Sequence, residues 1–182
     1  MIAENVKKVF EENPWFLATC GEEPNVVPVG FKCITEDGKF AVGAVLLETT
    51  LENLKANGKI AIAVCSAAAE SYQVKGKAVL VSEGPVFEFF KKLADDTFKG
   101  AFPAKCAVVV TPEKLIVASP NAQNKQELPL CWIKKRAGFC YNRDIMASGA
   151  YDTVFARLLL EITQEASYQS ISEKEYSNEN RL

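Results

Sequence analysis

Two adjacent threonines and an asparagine three residues later are the residues whose types and spacing best suit ligand chemistry. Thr49 and Thr50 stand where an apolar strand predicted over 40–45 gives way to a short helix, and Asn53 follows one turn later. Either threonine is a suitable N-cap, and Asn57-Gly58 is typical of a helix end. A helix start offers unpaired backbone N–H groups that attract anions. The pattern predicts a phosphate beside Thr49, Thr50 and Asn53, and threonines that only cap a helix are the alternative interpretation.

The absence of histidine restricts the chemistry of this chain more than any other feature of its composition. Without imidazole there is no Ser-His-Asp or Cys-His hydrolytic arrangement, and no histidine ligand for zinc, iron or haem. No metal site is predicted. An enzyme of this composition would depend on a cofactor for the hard chemical step, while the protein binds and orients that cofactor.

The six cysteines show neither a Cys-x-x-Cys pair nor the dense spacing of a disulfide scaffold. Four of them lie within or at the ends of apolar runs, where a free cysteine usually acts as a small core residue: Cys20, Cys33, Cys65 and Cys106. For Cys131 and Cys140, a redox or metal role remains open beside that of a buried thiol.

Length and composition predict one domain with an appendage. The chain has 182 residues, of which 48% are hydrophobic, and a net charge of −2 with no basic stripe. Nucleic acid is therefore not an expected partner. No apolar run approaches the roughly 20 residues that span a bilayer. Because the N-terminal stretch is amphipathic rather than signal-like, we expect no membrane association and a cytoplasmic location.

Short strands separated by turn residues account for most of the predicted structure. Pro28 and Gly30 interrupt the second strand, which indicates a bulge or a close approach of a ligand to the backbone. Thr111-Pro112-Glu113-Lys114 is predicted to be a turn. Six or more such strands with short helices favour a closed or nearly closed barrel. We predict helices over 4–13, 49–58 and 86–99, and strands over 15–20, 25–34, 40–45, 59–65, 72–82, 105–111 and 115–119.

The order and spacing of several segments resemble the pyridoxamine 5′-phosphate oxidase-like, FMN-binding split-barrel family over about residues 10–119. The segments are WFLATC, VVPVGFK, the DGKF hairpin, T-T-x-x-N-L, K-I-A-I-A-V, Y-x-V-x-G-x-A and the helix after EGP. The resemblance implies an α+β fold: a six-stranded antiparallel split barrel with flanking short helices. The barrel domain is expected over 1–119. The composition shifts at Pro120, so 120–182 is predicted to be a C-terminal extension with a polar linker, a short strand or loop, a helix over 151–166 and a frayed polar tail.

The resemblance further implies a homodimer that holds FMN at the subunit interface. The backbone of Pro28, Val29 and Gly30 would follow the flavin ring, with Lys32 near the cofactor. Thr49, Thr50 and Asn53 would lie at the phosphate. A polar neighbour of the flavin is expected on the strand over 72–82, where the register leaves Gln73 and Ser71 as alternatives.

Several positions depart from the family pattern. Many members have Arg and Lys where this chain has Thr49 and Thr50, so Lys32 or Lys55 would supply positive charge to the phosphate, and weaker FMN binding or another cofactor remains open. Val27 replaces an Arg of the oxidase proper. The oxidase's basic, histidine-containing C-terminal segment is not found in 120–182, so pyridoxamine-phosphate oxidase activity is not expected. The lack of histidine also argues against the haem-degrading relatives.

These observations predict an FMN-dependent oxidoreductase or electron carrier that exchanges electrons with a small molecule such as NAD(P)H. No catalytic residue is assigned. The first alternative is a non-catalytic flavin-binding or small-ligand-binding protein that uses the same cleft. The second is a structural barrel that binds no ligand. The reason to consider it is that Thr49 and Thr50 replace the Arg and Lys of many family members.

Overall fold

The structure, a computed structural model, describes residues 2–130, which all belong to one compact unit. The predictions for 151–166, Cys131 and Cys140 lie outside the described residues, and the domain boundary at 119/120 stays a prediction. The helices are α1 (Glu4–Glu12), α2 (Glu48–Asn57) and α3 (Pro85–Phe98). The strands are β1 (Trp15–Cys20), β2 (Pro24–Val29), β3 (Lys32–Ile34), β4 (Phe40–Ala44), β5 (Lys59–Cys65), β6 (Ser71–Val81), β7 (Cys106–Val117) and β8 (Glu127–Leu128).

One antiparallel sheet contains all of these strands. Seven strands follow the order β2-β1-β5-β6-β7-β4-β3, and β8 pairs with β7. The sheet curls, because β2 and β3 form its two edges although only Gly30 and Phe31 separate them in the chain. The prediction of a mainly β split barrel with flanking helices is confirmed, with seven strands along the sheet rather than six.

Residues of α1 and α2 pack into the barrel core. Phe10 of α1, Trp15 of β1 and Phe40 of β4 are fully buried, and their ring centroids lie 5.0–5.9 Å apart. Leu51 and Leu54 of α2 join the same core. On the outer side of β4, Phe90 of α3 forms a second cluster with Ala41, Leu93 and Ala107. All five residues of β4 are therefore buried.

The structure differs from the strand predictions at Pro28 and at Pro112. The interruption expected at Gly30 is present and divides the strand predicted over 25–34 into β2 and β3, whereas β2 runs through Pro28 without a break. The turn predicted at 111–114 does not form, since β7 runs through Pro112 as one strand. Pro112 fits there because the β6–β7 register shifts between Lys75 and Gly76, and a Cβ on Gly76 would lie only 2.2 Å from the Thr111 carbonyl oxygen. The ladder is locally interrupted at such an irregularity, so a residue without an N–H donor is tolerated there.

The prediction that four cysteines are core residues is confirmed for Cys106, holds in part for Cys33, which packs against the second cluster, and was wrong for Cys20 and Cys65. Cys106 is buried, Cys33 is partly buried, and Cys20 and Cys65 are exposed. The last two occupy outward positions at the ends of β1 and β5, because side chains alternate between the two faces of a strand. Over the described part of the chain, no helix has the length and apolar character needed to cross a membrane.

Candidate functional site

Helix α2 begins earlier than an N-cap at Thr49 or Thr50 would place it. Its first helical residue is Glu48, and its N-cap residue is Leu47, whose side chain makes no capping hydrogen bond. The prediction that Thr49 or Thr50 is the N-cap was therefore wrong. They are the second and third helical residues, so Thr49 is exposed whereas Thr50 is only 1% exposed. We call Glu48, Thr49 and Thr50 the α2 start; its backbone N–H groups have no side-chain cap from Leu47.

A polar stripe on α2 bonds to the end of β1 and the beginning of β2. The Oγ1 of Thr50 accepts a hydrogen bond from Asn25 Nδ2 at 2.9 Å. Asn53 Nδ2 donates to Thr19 Oγ1 at 3.1 Å. One further turn along, Asn57 Nδ2 donates to the Cys20 carbonyl at 2.7 Å. The side chains of Thr50 and Asn53 therefore point into the protein, and only Thr49 of the three predicted phosphate residues presents its side chain to solvent.

Lys105 brings positive charge to the α2 start. Its backbone N–H donates to the Ala44 carbonyl at 2.8 Å, where β7 pairs with the end of β4. Its Nζ lies 3.0 Å from the Glu48 carboxylate, and both side chains are exposed. Sequence reasoning missed Lys105, because only the pairing of β4 with β7, about 60 residues apart in the chain, places it there.

The side chain of Lys32 caps the C-terminal end of α1. Its Nζ donates to the carbonyls of Phe10 at 2.6 Å and Glu11 at 2.9 Å, and lies 5.1 Å from the centroid of the Trp15 ring. Burial lowers the pKa of Lys32 to about 8, against the opposing effects of Glu11 and Cys33. Burial likewise raises the pKa of the Cys33 thiol to about 11, and the neighbouring Lys32 charge reduces that shift. A cation is favoured beside the unpaired carbonyls of a helix end.

The structure separates Lys32 from the α2 start. Lys32 lies over Trp15, the first residue of β1, whereas the α2 stripe bonds to Thr19. These two positions lie four residues apart along β1, a distance of about 13 Å. Lys32 and the α2 stripe therefore contact opposite ends of β1, and a joint role of Lys32 and Thr49 at a phosphate stays a prediction.

The remaining predicted residues lie on β2 and β6. The side chain of Val29 is buried in the core, Pro28 is exposed, and Gly30 lies between β2 and β3. Pro28 is opposite Phe16, Phe16 is opposite Ala63, and Ala63 is opposite Gln73. These four residues form one outward-facing row, in which Phe16 is 42% exposed. Pro28 and Gln73 thus share a face, at a separation of three strand spacings or about 14 Å.

Ser71, the alternative to Gln73, forms backbone hydrogen bonds with Ser119 at the beginning of β6. Its N–H donates to Ser119 Oγ at 2.8 Å, and the same hydroxyl donates back to the Ser71 carbonyl at 3.1 Å. Gln73 is partly exposed on the outer face. The assignment of any of these residues to a cofactor stays a prediction.

The donors at the α2 start fit a phosphate group. The first-turn N–H groups, the exposed Thr49 hydroxyl and the Lys105 ammonium are all donors, and the helix dipole favours an anion at this end. The Glu48 carboxylate opposes the anion and reduces the net charge that Lys105 supplies. Residues 2–130 contain no group of three or more His, Cys, Asp or Glu that could hold a metal ion.

Comparisons with known proteins agree with this architecture. A family model described as pyridoxamine 5′-phosphate oxidase matches residues 2–118. A search of curated proteins found no significant match. The structure of HupZ from Group A Streptococcus is 24% identical with a TM-score of 0.59, over 68% of this chain and 98% of that one.

Two further structures are similar at lower identity. A candidate pyridoxamine 5′-phosphate oxidase of Lactobacillus delbrueckii is 20% identical with a TM-score of 0.52, over 63% of this chain and 93% of that one. An FMN-binding protein of Syntrophomonas wolfei is 22% identical with a TM-score of 0.52, over 63% and 80%. These structural similarities show that the chain shares the fold of these proteins. Because the family model covers more than half of the sequence, this chain belongs to the pyridoxamine 5′-phosphate oxidase family.

Proposed function

We propose that this protein binds FMN and acts as an FMN-dependent oxidoreductase or electron carrier. The observation that carries the proposal is the family match over residues 2–118, which spans nearly the whole described barrel. The FMN-binding protein of Syntrophomonas wolfei, which shares the fold, supports it. When bound, the flavin would supply the redox chemistry that the side chains of a histidine-free chain lack.

The phosphate of FMN would bind at the α2 start. Thr49 would donate through its hydroxyl, and the first-turn N–H groups would donate from the backbone. Lys105 would supply the charge that the threonines at positions 49 and 50 do not carry, and would exchange its contact with Glu48 for one with the phosphate. Exposed pairs of this kind contribute little to stability, so that exchange costs little.

We further propose that two copies of the chain form a homodimer that encloses the flavin, with NAD(P)H as the small-molecule redox partner. The outward row of Pro28, Phe16, Ala63 and Gln73 supports this arrangement, because apolar side chains there face solvent. A Phe16→Glu variant should dissociate in size-exclusion chromatography with light scattering if the row lies in the contact. A wild-type monomer would refute the dimer. The cytoplasmic location expected from the sequence stays a prediction.

Non-catalytic flavin binding is the second candidate function, and the position of Lys32 favours it. Lys32 is the ionisable residue expected beside the ring, and α1 carbonyls hold its ammonium. For Lys32 to exchange a proton with the flavin, its hydrogen bonds to the α1 carbonyls would have to break. Otherwise another group would have to exchange the proton. An enzyme should be bleached by NADH or NADPH without oxygen and should recolour in air. Tight yellow colour that neither nicotinamide bleaches would favour binding alone.

The first experiment is an absorption spectrum followed by a fluorescence titration with FMN. Lys105→Met should weaken FMN binding about five- to twentyfold, since a charge-assisted hydrogen bond at a partly exposed position is lost. Thr49→Val should weaken it severalfold. Lys8→Met, which removes an exposed lysine of α1, is the control and should leave the affinity unchanged. Binding that is indifferent to both Lys105 and Thr49 would refute the phosphate placement.

A further inference from the structure

Three of the four buried polar side chains in the described part of the chain meet in one cluster. Thr19, Thr50 and Asn53 are 6%, 1% and 8% exposed, and Asn25 completes the group at the beginning of β2. Asn25 Nδ2 donates to Thr50 Oγ1 at 2.9 Å and to Thr19 Oγ1 at 3.3 Å. Asn53 Nδ2 donates to the same Thr19 oxygen at 3.1 Å. The cluster therefore ties α2 to two strands through side chains alone.

The hydrogen bonds in this cluster fix the rotation of α2 about its axis. Thr19 Oγ1 accepts two bonds, so both of its lone pairs are used. A hydrogen bond weakens steeply with misalignment, whereas an apolar contact tolerates sliding and rotation. Gly21 reinforces the fit, because a Cβ there would lie 2.3 Å from Asn53 Oδ1. The β1–β2 turn and the helix thus have no room to shift toward each other.

The hydrogen bond from Asn25 holds the buried side chain of Thr50, and this fixes the direction in which the neighbouring residues of α2 point. Thr49 precedes Thr50 by one residue, about 100° around the helix, and is exposed while Thr50 is buried. We propose that Asn25 and Thr19 are positioning residues, which hold the α2 start so that its N–H groups and the Thr49 hydroxyl face the phosphate of FMN. This inference rests on the proposed function. It gives Thr50 and Asn53 a role as anchors for the phosphate site, rather than as ligands of the phosphate.

Comparison of FMN with riboflavin tests the inference, because riboflavin lacks the phosphate. In Thr19→Val, which keeps the side-chain shape and removes the shared acceptor, FMN affinity should fall about tenfold. Riboflavin affinity should stay within about twofold of the wild type, because the ring makes no use of the α2 start. Asn25→Ala, at a less buried position, should show the same selective loss. Thr19→Ser keeps the hydroxyl and should restore FMN affinity.

The possible outcomes separate this inference from the proposed function. Equal losses for FMN and riboflavin, or no loss for either, would overturn the positioning role while leaving flavin binding intact. A wild-type protein that binds neither ligand would refute the proposed function and this inference with it. Amide hydrogen exchange gives a readout independent of the ligand. The N–H groups of residues 51–53, which are the first to bond within α2, should exchange faster in Thr19→Val than in Thr19→Ser, and equal rates would overturn the positioning role.

Discussion

The buried ammonium of Lys32 should make stability rise with pH in the alkaline range. Lys32 has a pKa of about 8 in the folded protein against 10.5 as an ordinary lysine. Below about pH 8 the folded and unfolded chains both carry the proton, and the cost of burying the charge is fully present. Between about pH 8 and 10.5 the unfolded chain binds more protons, so the free energy of unfolding increases with pH. The complete shift corresponds to about 3 kcal/mol, of which about 1 kcal/mol appears between pH 7 and pH 9.

Urea unfolding, followed by circular dichroism at about pH 7 and about pH 9, measures this effect. The ionisation of Cys33 has the opposite effect, since it lowers stability as the pH rises from 9.0 toward 11. Its contribution between pH 7 and pH 9 is therefore small. The midpoint of wild-type unfolding should shift upward with pH relative to Lys32→Met by about 0.5 M urea. Lys75→Met, at an exposed position on β6, should behave like the wild type. If Lys32→Met shows the same pH dependence as the wild type, the ammonium is not buried as described.

Two glycines provide further tests of the packing. Gly76→Ala should destabilise by about 2–4 kcal/mol in urea, because its Cβ would meet the Thr111 carbonyl at 2.2 Å and break ladder bonds between β6 and β7. Gly100→Ala, with open space but a φ of +85°, should cost only about 1 kcal/mol, and an equal loss for both would contradict the close approach. Gly43→Ala should cost about 1–3 kcal/mol, because its Cβ would lie 2.8 Å from the Phe90 ring. The cost should be smaller in a Phe90→Leu background, and strictly additive effects would argue against that contact.

Local signals predicted the buried face of α1 and the end of α2. Val6, Val9 and Phe10 were expected on one face of the first helix, and all three are buried. Asn57-Gly58 ends α2 as predicted, with Gly58 at a φ of 65° and its N–H bonded to the Leu54 carbonyl. Short-range geometry and helical periodicity determine these features, so the sequence alone contains enough information.

Long-range pairing could not be predicted in the same way. The continuity of β7 through Pro112 depends on Gly76, which lies on a different strand. The position of Lys105 beside Glu48 depends on the β4–β7 register. The family resemblance gave the barrel, but neither resemblance nor periodicity identifies which surface lysine ends next to which helix.

The position at which α2 starts decides which side chains are available to a ligand. The sequence pattern treated Thr49 and Thr50 as equivalent, because both suit an N-cap. With Glu48 as the first helical residue, Thr50 joins Asn53 and Asn57 in a stripe that bonds to β1 and β2, and Thr49 faces outward. Had the helix begun two residues later, at Thr50, Thr49 would be the N-cap and its hydroxyl would satisfy first-turn N–H groups. The absence of a side-chain cap at Leu47 therefore matters as much as the threonines do, since uncapped N–H groups are the donors that a phosphate would bind.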